Sequence, residues 1–521
     1  MAYLIFPNQL FELKYYPHDV PIKEIHILED PVFMGFRDQK LNFNKLKLVL
    51  HRASMKYYEN YLNSNSIVKT KNIKVHYHPF ETLIQNPNKK YKPVYSSILS
   101  IIKKSGLEKE IYTFDLTDHY LESIIPKTFT SISFLPNPNF LVTQKQLEFY
   151  FNQNKSKKTI VQGHFYNWVK EQINILTETK SYDTENRNPL PDNVTVPKLG
   201  KNTSVDQGYI KEAIEYISNI KIFSNNCGPT ELILNDCWFP VTHSGSEKWL
   251  NKFIKDRLNK FGDYQDAIRD DNQTMFHSLI APMFNIGLIN PYDIISNVMK
   301  NKDKNKIKIN NVEGFLRQII GWREYQRYCY LYYYDKMTKA NVFENDRKLS
   351  NSLYEGTTGL PPVDDAIKSA FKTGYLHHIQ RLMVMSNIFN LMNISPDESY
   401  KWFMEFSVDS YDWLMTQNVY SMGMWADGGL TMRKPYISTA AYVLKMSNYK
   451  EPRNTDSDNN SSWTEIWRAL FYCKIIQHRK IFEKTPYIFQ IKTWDKMSDN
   501  VKSQLNEVAN DFIKNNFTKF S

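Results

Sequence analysis

Two adjacent histidines, His377 and His378, precede Arg381 by four and three residues, and Asp409 and the pair Gly428-Gly429 follow downstream. Imidazoles exchange protons near neutral pH, and a guanidinium grips anions with a fixed fork of donors. On an α-helix, His378, Arg381 and Met385 would share one face. An arginine there can pair with a carboxylate, and Asp409 is the nearest candidate. A buried Arg–Asp pair is costly to desolvate unless it is fully hydrogen-bonded. One reason to keep such a pair is a polar ligand that needs both groups; the other is a structural ion pair beside two packed histidines. Glycines in Asp427-Gly428-Gly429, ahead of Lys434-Pro435-Tyr436, allow backbone to approach a ligand or to turn tightly. No phosphate-binding glycine loop stands in this half, so the layout points to a deep pocket for a large aromatic cofactor rather than to nucleotide hydrolysis.

The elements that must position these residues divide the chain. The first third alternates β-prone runs (Tyr3 to Phe6, Ile25 to Leu28, Ile73 to Tyr77, Ile111 to Phe114, Ile132 to Phe134) with helical patterns at Lys45 to Leu62 and Val94 to Lys104. Strands separated by helices predict a parallel, Rossmann-like α/β sheet. Ligands of such sheets lie beyond the carboxyl ends of the strands, so Pro7 to Leu10 and Glu29 to Pro31 are candidate pocket walls, or plain turns. Asn186 to Asp206 reads as a linker and Asn454 to Ser462 as an exposed loop. From about Ile210 the pattern is helical. Phe315, Ile319, Trp322 and Cys329 predict one helix face, with Arg323 and Arg327 on another; Ile379, Leu382, Met383 and Ile388 predict a second amphipathic helix. The expected domains are an α/β unit over 1–135, a linking segment with helices over 136–225, and an all-α unit over 226–521.

A chain of 521 residues exceeds one compact core. Its net charge of +11 favours polyanionic partners, and 14% aromatic residues suit stacking on bases or flavin rings as well as core filling. Four scattered cysteines, Cys227, Cys237, Cys329 and Cys473, form no C-x-x-C pair and read as free thiols in a reducing compartment. With no secretory signal and no run of membrane-spanning length, the chain is expected to be soluble and intracellular, in cytoplasm, nucleus, viral factory or virion, and to act as a monomer without a membrane. Heavy use of Lys, Asn and Ile suggests an AT-rich genome, such as that of a virus or protist.

Longer motifs add a specific likeness. Asn311 to Tyr330 (NVEGFLRQIIGWREYQRYCY) resembles the helix of the photolyase/cryptochrome flavoproteins that carries Arg-Gln-Ile-x-Gly-Trp-Arg-Glu. Phe343 to Arg347, the HHIQRLM segment, Asn418 to Tyr436, Asn8 to Leu10, Leu50 to Met55 and Tyr182 to Arg187 continue the match, nearest to the bacterial iron–sulfur branch that repairs (6-4) photoproducts. Thr357 to Asp364 looks more like the wider superfamily.

The resemblance implies an N-terminal α/β antenna domain and a C-terminal all-α domain holding a bent FAD. By position, Ser278 and Leu279 would meet the FAD phosphates and Arg323 would line the flavin pocket. Arg381 and Asp409 would be the ion pair beside the isoalloxazine, with Asp412 in the loop over that ring. His377, His378 and Tyr436 would face the lesion, where an imidazole could donate a proton. Trp402 and Tyr354 would relay electrons, with Phe403 at a third relay position. Asn8, Gln9, Glu29 and Phe33 would flank a ribityl-lumazine antenna, if the domain holds one. Departures matter too. Pro362, Lys450 and Arg453 stand where the branch has cluster cysteines, so no iron–sulfur cluster is expected. Met415 stands where the family places a polar residue near flavin N5, and a thioether is a weak acceptor there.

The implied activity is light-driven repair of UV-damaged DNA, with (6-4) photoproducts ahead of cyclobutane dimers. The lesion would be flipped from the duplex, with a basic rim holding the backbone. The alternatives are a cryptochrome-type blue-light photoreceptor, or a DNA-binding relative without flavin.

Overall fold

The computed structural model describes residues 1–17, 21–85, 92–177, 181–451 and 461–517. Arg453 and the stretch 454–460 of the polar run lie outside them. The five predicted strands form one all-parallel sheet: β1 (Ala2–Ile5), β2 (Glu24–Leu28), β3 (Lys74–His78), β6 (Ile111–Phe114) and β7 (Ile132–Leu135), in the order β3-β2-β1-β6-β7. A separate two-stranded ribbon pairs β4 (Ile84–Gln85) with β5 (Lys92–Pro93). β1 and β2 are buried throughout, as strands covered on both faces must be. The register is set by Ala2 opposite Glu24 and Ile25 opposite Val75.

The helix Lys45–Ser64 starts where the Asn44 side chain accepts from Leu46 N. It packs along the helix Ser204–Asn219, so the far end of the linking segment belongs against the α/β unit. The nearer helix, Gln162–Ile173, packs instead on the helical half at Arg317–Arg323. Beyond that point the chain is helical, with no sheet among its described residues. This gives the expected two parts, α/β and then all-α.

The loops at the carboxyl ends of the strands are the joint between the two halves. Arg37 forks onto Asp118 at 2.9 and 3.0 Å and also reaches Asp412 at 3.3 Å. Arg327 donates to Asp115 at 2.8 Å. Lys47, fully enclosed, donates to Ser410 and lies 3.9 Å over the Phe43 ring. Among the described residues no helix is long and apolar enough to cross a membrane.

Candidate functional site

Three stretches of the helical half widen into π-helix: Arg317–Arg323, Gln380–Ser386 and Thr416–Gly423. Such widening is rare and concentrates at functional sites. Here each stretch contains or adjoins a candidate residue: Arg323, Arg381 and Met415. It also corrects two readings of periodicity. The helix bearing Arg381 begins at His378, leaves His377 ahead of it, and turns π-helical at Gln380. The 3.6-residue face proposed for His378, Arg381 and Met385 therefore does not run through it. Ile379, Leu382, Met383 and Ile388 are buried with their neighbours rather than forming one stripe. The widening at Arg317–Arg323 likewise breaks the face drawn from Phe315 to Cys329.

Arg381 and Asp409 meet. Their two hydrogen bonds run Nη1 to Oδ1 at 2.9 Å and Nη2 to Oδ2 at 3.1 Å, while Nε donates to Leu376 O at 2.7 Å. Ser407 Oγ also donates to Asp409 Oδ1, and Asn285 Nδ2 donates to Asp409 O at 2.9 Å. The pair is thus satisfied on nearly all sides, the condition under which a buried ion pair is tolerable.

Around this pair lies an excess of cations and imidazoles. The rings of His277 and His377 stack at 4.8 Å with an angle of 11°. His377 is 2% exposed, and neither of its nitrogens, nor His277 Nε2, has a hydrogen-bond partner among the described residues. Burial first, then His378 and Arg257, push His277 down to about 3; burial, His277 and His378 push His377 well below the usual imidazole range. His378 stands at the rim with an exposed face. The surrounding mass of protein, Arg381 and Arg187 lower it toward about 4, an effect that the water it still reaches must soften. The three imidazoles are therefore neutral at pH 7 here. This corrects the expectation of a ready imidazolium donor: burial among guanidinium groups opposes the charge. Tyr436 is half-buried, close enough to Arg187 and Asp266 to feel both charges, and burial raises its phenol.

Below the stack a cleft of about 230 Å³ is lined by Lys198, Gly200, Lys252, Arg257 and Ser278, with Trp249 and Asp256 beside them. A Cβ on Gly200 would stand 2.8 Å from the Trp249 ring. Trp249 Nε1 donates to Ser278 O at 2.8 Å. Leu279 and Met275 adopt the left-handed region at φ 54° and 47°. Two such non-glycine residues flanking His277 and Ser278 mark a segment held in a strained shape by its surroundings. Arg323 lies deeper. Its guanidinium stacks over Phe284 at 3.9 Å, Phe140 at 4.6 Å and Trp413 at 4.9 Å, and Nη1 donates to Asn139 O. Its Nε and Nη2 have no partner among the described residues, and burial lowers it to about 9.

Asp412 serves elsewhere. Its carboxylate accepts from Tyr330 Oη at 2.6 Å, Tyr400 Oη at 2.6 Å and Arg37, so it belongs to the joint between halves. Met415 is buried at the end of the helix Asp412–Met415. Trp402 is fully buried and donates from Nε1 to Leu353 O at 2.8 Å. Ring contacts run from Tyr354 to Phe371 at 5.6 Å, on to Trp402 at 5.6 Å and then to Phe406 at 4.7 Å, with Arg381 5.4 Å from the Phe406 ring. Phe403 touches Trp402 from another side at 5.2 Å.

The four antenna candidates do not surround one space. Gln9 bonds Phe114 O, Phe6 N and Thr113, and Asn8 donates to Leu116 O, stapling β1 to the end of β6. Glu29 is taken by Arg52, Tyr77, Tyr216 and Phe80 N. Phe33 packs on His51 and Tyr411. A further cluster, Glu24, His26 and His76, brings three potential metal ligands within 4.8 Å of one another. The rings of His26 and His76 lie face to face at 4.7 Å, so no single ion falls in the plane of both, and His26 is spent on His78 and Glu24.

Comparison with known proteins agrees with this architecture. Residues 3–232 match the family described as deoxyribodipyrimidine photo-lyase-related protein, and residues 315–458 match the FAD binding domain of DNA photolyase. A (6-4) photolyase of Agrobacterium fabrum is 30% identical over 376 residues, covering 70% of this chain and 72% of that one. The chain belongs to the photolyase/cryptochrome family. An uncharacterised protein of Acanthamoeba polyphaga mimivirus is 46% identical over 114 residues, 22% of this chain and 85% of that one. A crystal structure of a bacterial class III photolyase from Agrobacterium tumefaciens shares the fold at a TM-score of 0.53 and 15% identity, covering 85% of this chain and 86% of that one.

The family's FAD can be tested against the residues present. An anionic dinucleotide would meet Lys198, Lys252, Arg257 and Ser278 in the cleft, the Arg381–Asp409 pair above, and Arg323 with two donors to spare. Each unsatisfied buried polar group costs about 1–3 kcal/mol, so a ligand that meets these donors is favoured. The cleft alone is smaller than the roughly 300–1,000 Å³ of a typical ligand pocket. A dinucleotide would enlarge it at the expense of the imidazole stack, whose unpartnered nitrogens have no hydrogen bonds to lose. The residues fit the cofactor.

Sequence reading missed His277, Arg187 and Arg257 as members of the cluster. His277 adjoins the singled-out Ser278, and Arg187 ends a quoted motif, so both signals were present in the chain.

Proposed function

We propose that this protein is a light-driven DNA repair enzyme acting on (6-4) photoproducts. The observation that carries the reading is the bidentate Arg381–Asp409 pair set beneath a cluster of neutral imidazoles and guanidinium groups with unspent donors. Reduced FAD, when bound, supplies a light-excited electron. The protein does the rest. Arg381 and Asp409 fix the ring system between a donor fork and an acceptor. Arg323, Ser278 and the backbone at Leu279 hold the phosphate-bearing part, and Met415 shields the flavin edge from water. His378, at the rim, meets the flipped lesion and holds the proton that the rearranging bases need; His377 backs it and Tyr436 packs beside the base. His378 gains that proton as negative charge arrives, because an anion offsets the burial and the cations that keep it neutral. Trp402 and Tyr354 return the flavin to its reduced form. The net charge of +11 suits a DNA backbone. The functional units follow the boundaries 1–135, 136–225 and 226–521, and the viral relatives support a large DNA virus or its protist host as the setting.

The test is an absorption spectrum of the purified protein, then blue-light incubation of the reduced protein with oligonucleotides carrying either photoproduct. Loss of the (6-4) lesion is the expected result. Loss of cyclobutane dimers alone would move the activity to that lesion, and loss of neither would refute repair. One observation favours a second reading, a cryptochrome-type photoreceptor: Met415 offers flavin N5 no strong hydrogen bond, which changes the redox state in which a flavin rests.

A further inference from the structure

We propose that Glu405 is the proton acceptor that lets Tyr354 act as an electron donor to Trp402. The inference rests on the photoreduction role just assigned to those two residues and adds the group that the role requires.

A tyrosine differs from a tryptophan as a relay because oxidation makes its phenol a very strong acid, so the electron leaves efficiently only when the proton has a base to go to. Tyr354 has one. Its Oη donates to Glu405 Oε2 at 3.0 Å. Glu405 is 2% exposed, and its other oxygen accepts from Asn42 N at 2.9 Å. Its backbone carbonyl accepts from Asn44 N at 2.7 Å. The carboxylate is thus locked from both sides by the α/β half and aimed at the phenol. Burial raises Glu405 above the usual carboxylate range, partly countered by Asn42 N and Lys401, which makes it a stronger base than a free carboxylate. Trp402 has no such outlet, since its Nε1–H points at the amide carbonyl of Leu353. A carbonyl does not hold a proton, so oxidised Trp402 stays a radical cation and remains a strong oxidant.

The step balances. A light-excited oxidised flavin takes one electron from Trp402. The Trp402 radical cation then takes one electron from Tyr354 across Phe371. The Tyr354 Oη–H bond breaks, its proton moves to Glu405 Oε2, and a neutral tyrosyl radical and a neutral carboxylic acid remain. Tyr354 is only half-buried, so a thiol in solution can return an electron and a proton to it.

Transient absorption of the flavin-loaded protein, for wild type, Glu405→Gln and Tyr354→Phe, tests this. Wild type should form the Trp402 cation and then a neutral tyrosyl radical, with a slower second step in D₂O. In Glu405→Gln the Trp402 cation should still form but persist, and the tyrosyl radical should appear at least about 100-fold more slowly, the scale of a lost general base. Tyr354→Phe should give no tyrosyl radical. Two further readouts stand apart from turnover. A protonated-carboxyl infrared band should grow with the radical and vanish in Glu405→Gln, and the Tyr354 phenol should titrate at lower pH in that variant. An unchanged tyrosyl rate in Glu405→Gln, or no isotope effect in wild type, overturns the assignment alone. Flavin-bound wild type with no Trp402 signal defeats the photoreduction reading, and this proposal with it.

Discussion

Acidification is the sharpest probe of the imidazole cluster. His277 titrates near 3 and His377 lower still, against roughly 6.5 in an unfolded chain. Both folded values are depressed, so between pH 6.5 and about 3 the unfolded state binds more protons. The stability that these groups give is complete above pH 6.5 and is lost as the pH falls. Each pH unit costs about 1.4 kcal/mol per group. At pH 5 that is about 2 kcal/mol each, and about 3–4 kcal/mol for both once the partial exposure of His277 is discounted. His26, His51 and His78 are depressed by burial as well, to about 4, 3 and 3. They act equally in a variant that keeps them, so the informative quantity is a difference. Unfolding free energies of wild type and the double variant His277→Asn/His377→Asn should be measured at pH 7 and pH 5 on the protein as purified. Wild type should lose about 3–4 kcal/mol more than the variant over that interval. Added pyrophosphate should shrink this gap, because an anion beside the rings raises their pKa. Equal pH dependence in the two proteins would refute the picture of neutral imidazoles held among cations.

Asp409→Asn removes the negative partner of Arg381 and leaves a buried guanidinium uncompensated, a loss of about 3–5 kcal/mol for such pairs; flavin retained after gel filtration should fall at least tenfold, whereas full retention would free the pair from cofactor binding. Trp402→Phe should slow light-driven flavin reduction by about 100-fold or more while chemically reduced protein repairs normally; an unchanged photoreduction rate would mean that electrons enter by another route. His378→Ala should abolish (6-4) repair with flavin still bound, and repair that persists would point to another proton donor. Arg37→Ala strands Asp118 and Asp412 at the joint between halves, so thermal unfolding should shift down, as expected for about 3 kcal/mol, and split into two transitions; an unmoved melting curve would show that the joint does not depend on this fork.

The strands were legible because β-branched and aromatic runs of four to six residues, each followed by turn chemistry, leave few other readings. The Arg381–Asp409 pair was legible as a need: a guanidinium in an apolar segment requires an anion, and Asp409 was the nearest. The relay residues were legible only through resemblance. Helical periodicity failed at Arg317–Arg323 and Gln380–Ser386, where the π-helical turns change the angle per residue with no local marker in the chain. Asp412 was misplaced because sequence distance from Asp409 says nothing about which side of a short helix its carboxylate leaves, and Tyr330, Tyr400 and Arg37 claim it from distant segments.

The sequence by itself determined which kinds of element form and in what order, because propensity, capping and apolar spacing act over a few residues. It also determined the family, through motifs long enough to be specific. Only the tertiary structure decided which charges share a site. His277 meets His377 from 100 residues away, and Glu405 reaches Tyr354 while Asn42 in the other half holds it in place. Protonation followed from that assembly: histidines that would titrate near neutrality in water became neutral once they were buried beside guanidinium groups, since the energy of a charge depends on everything packed around it.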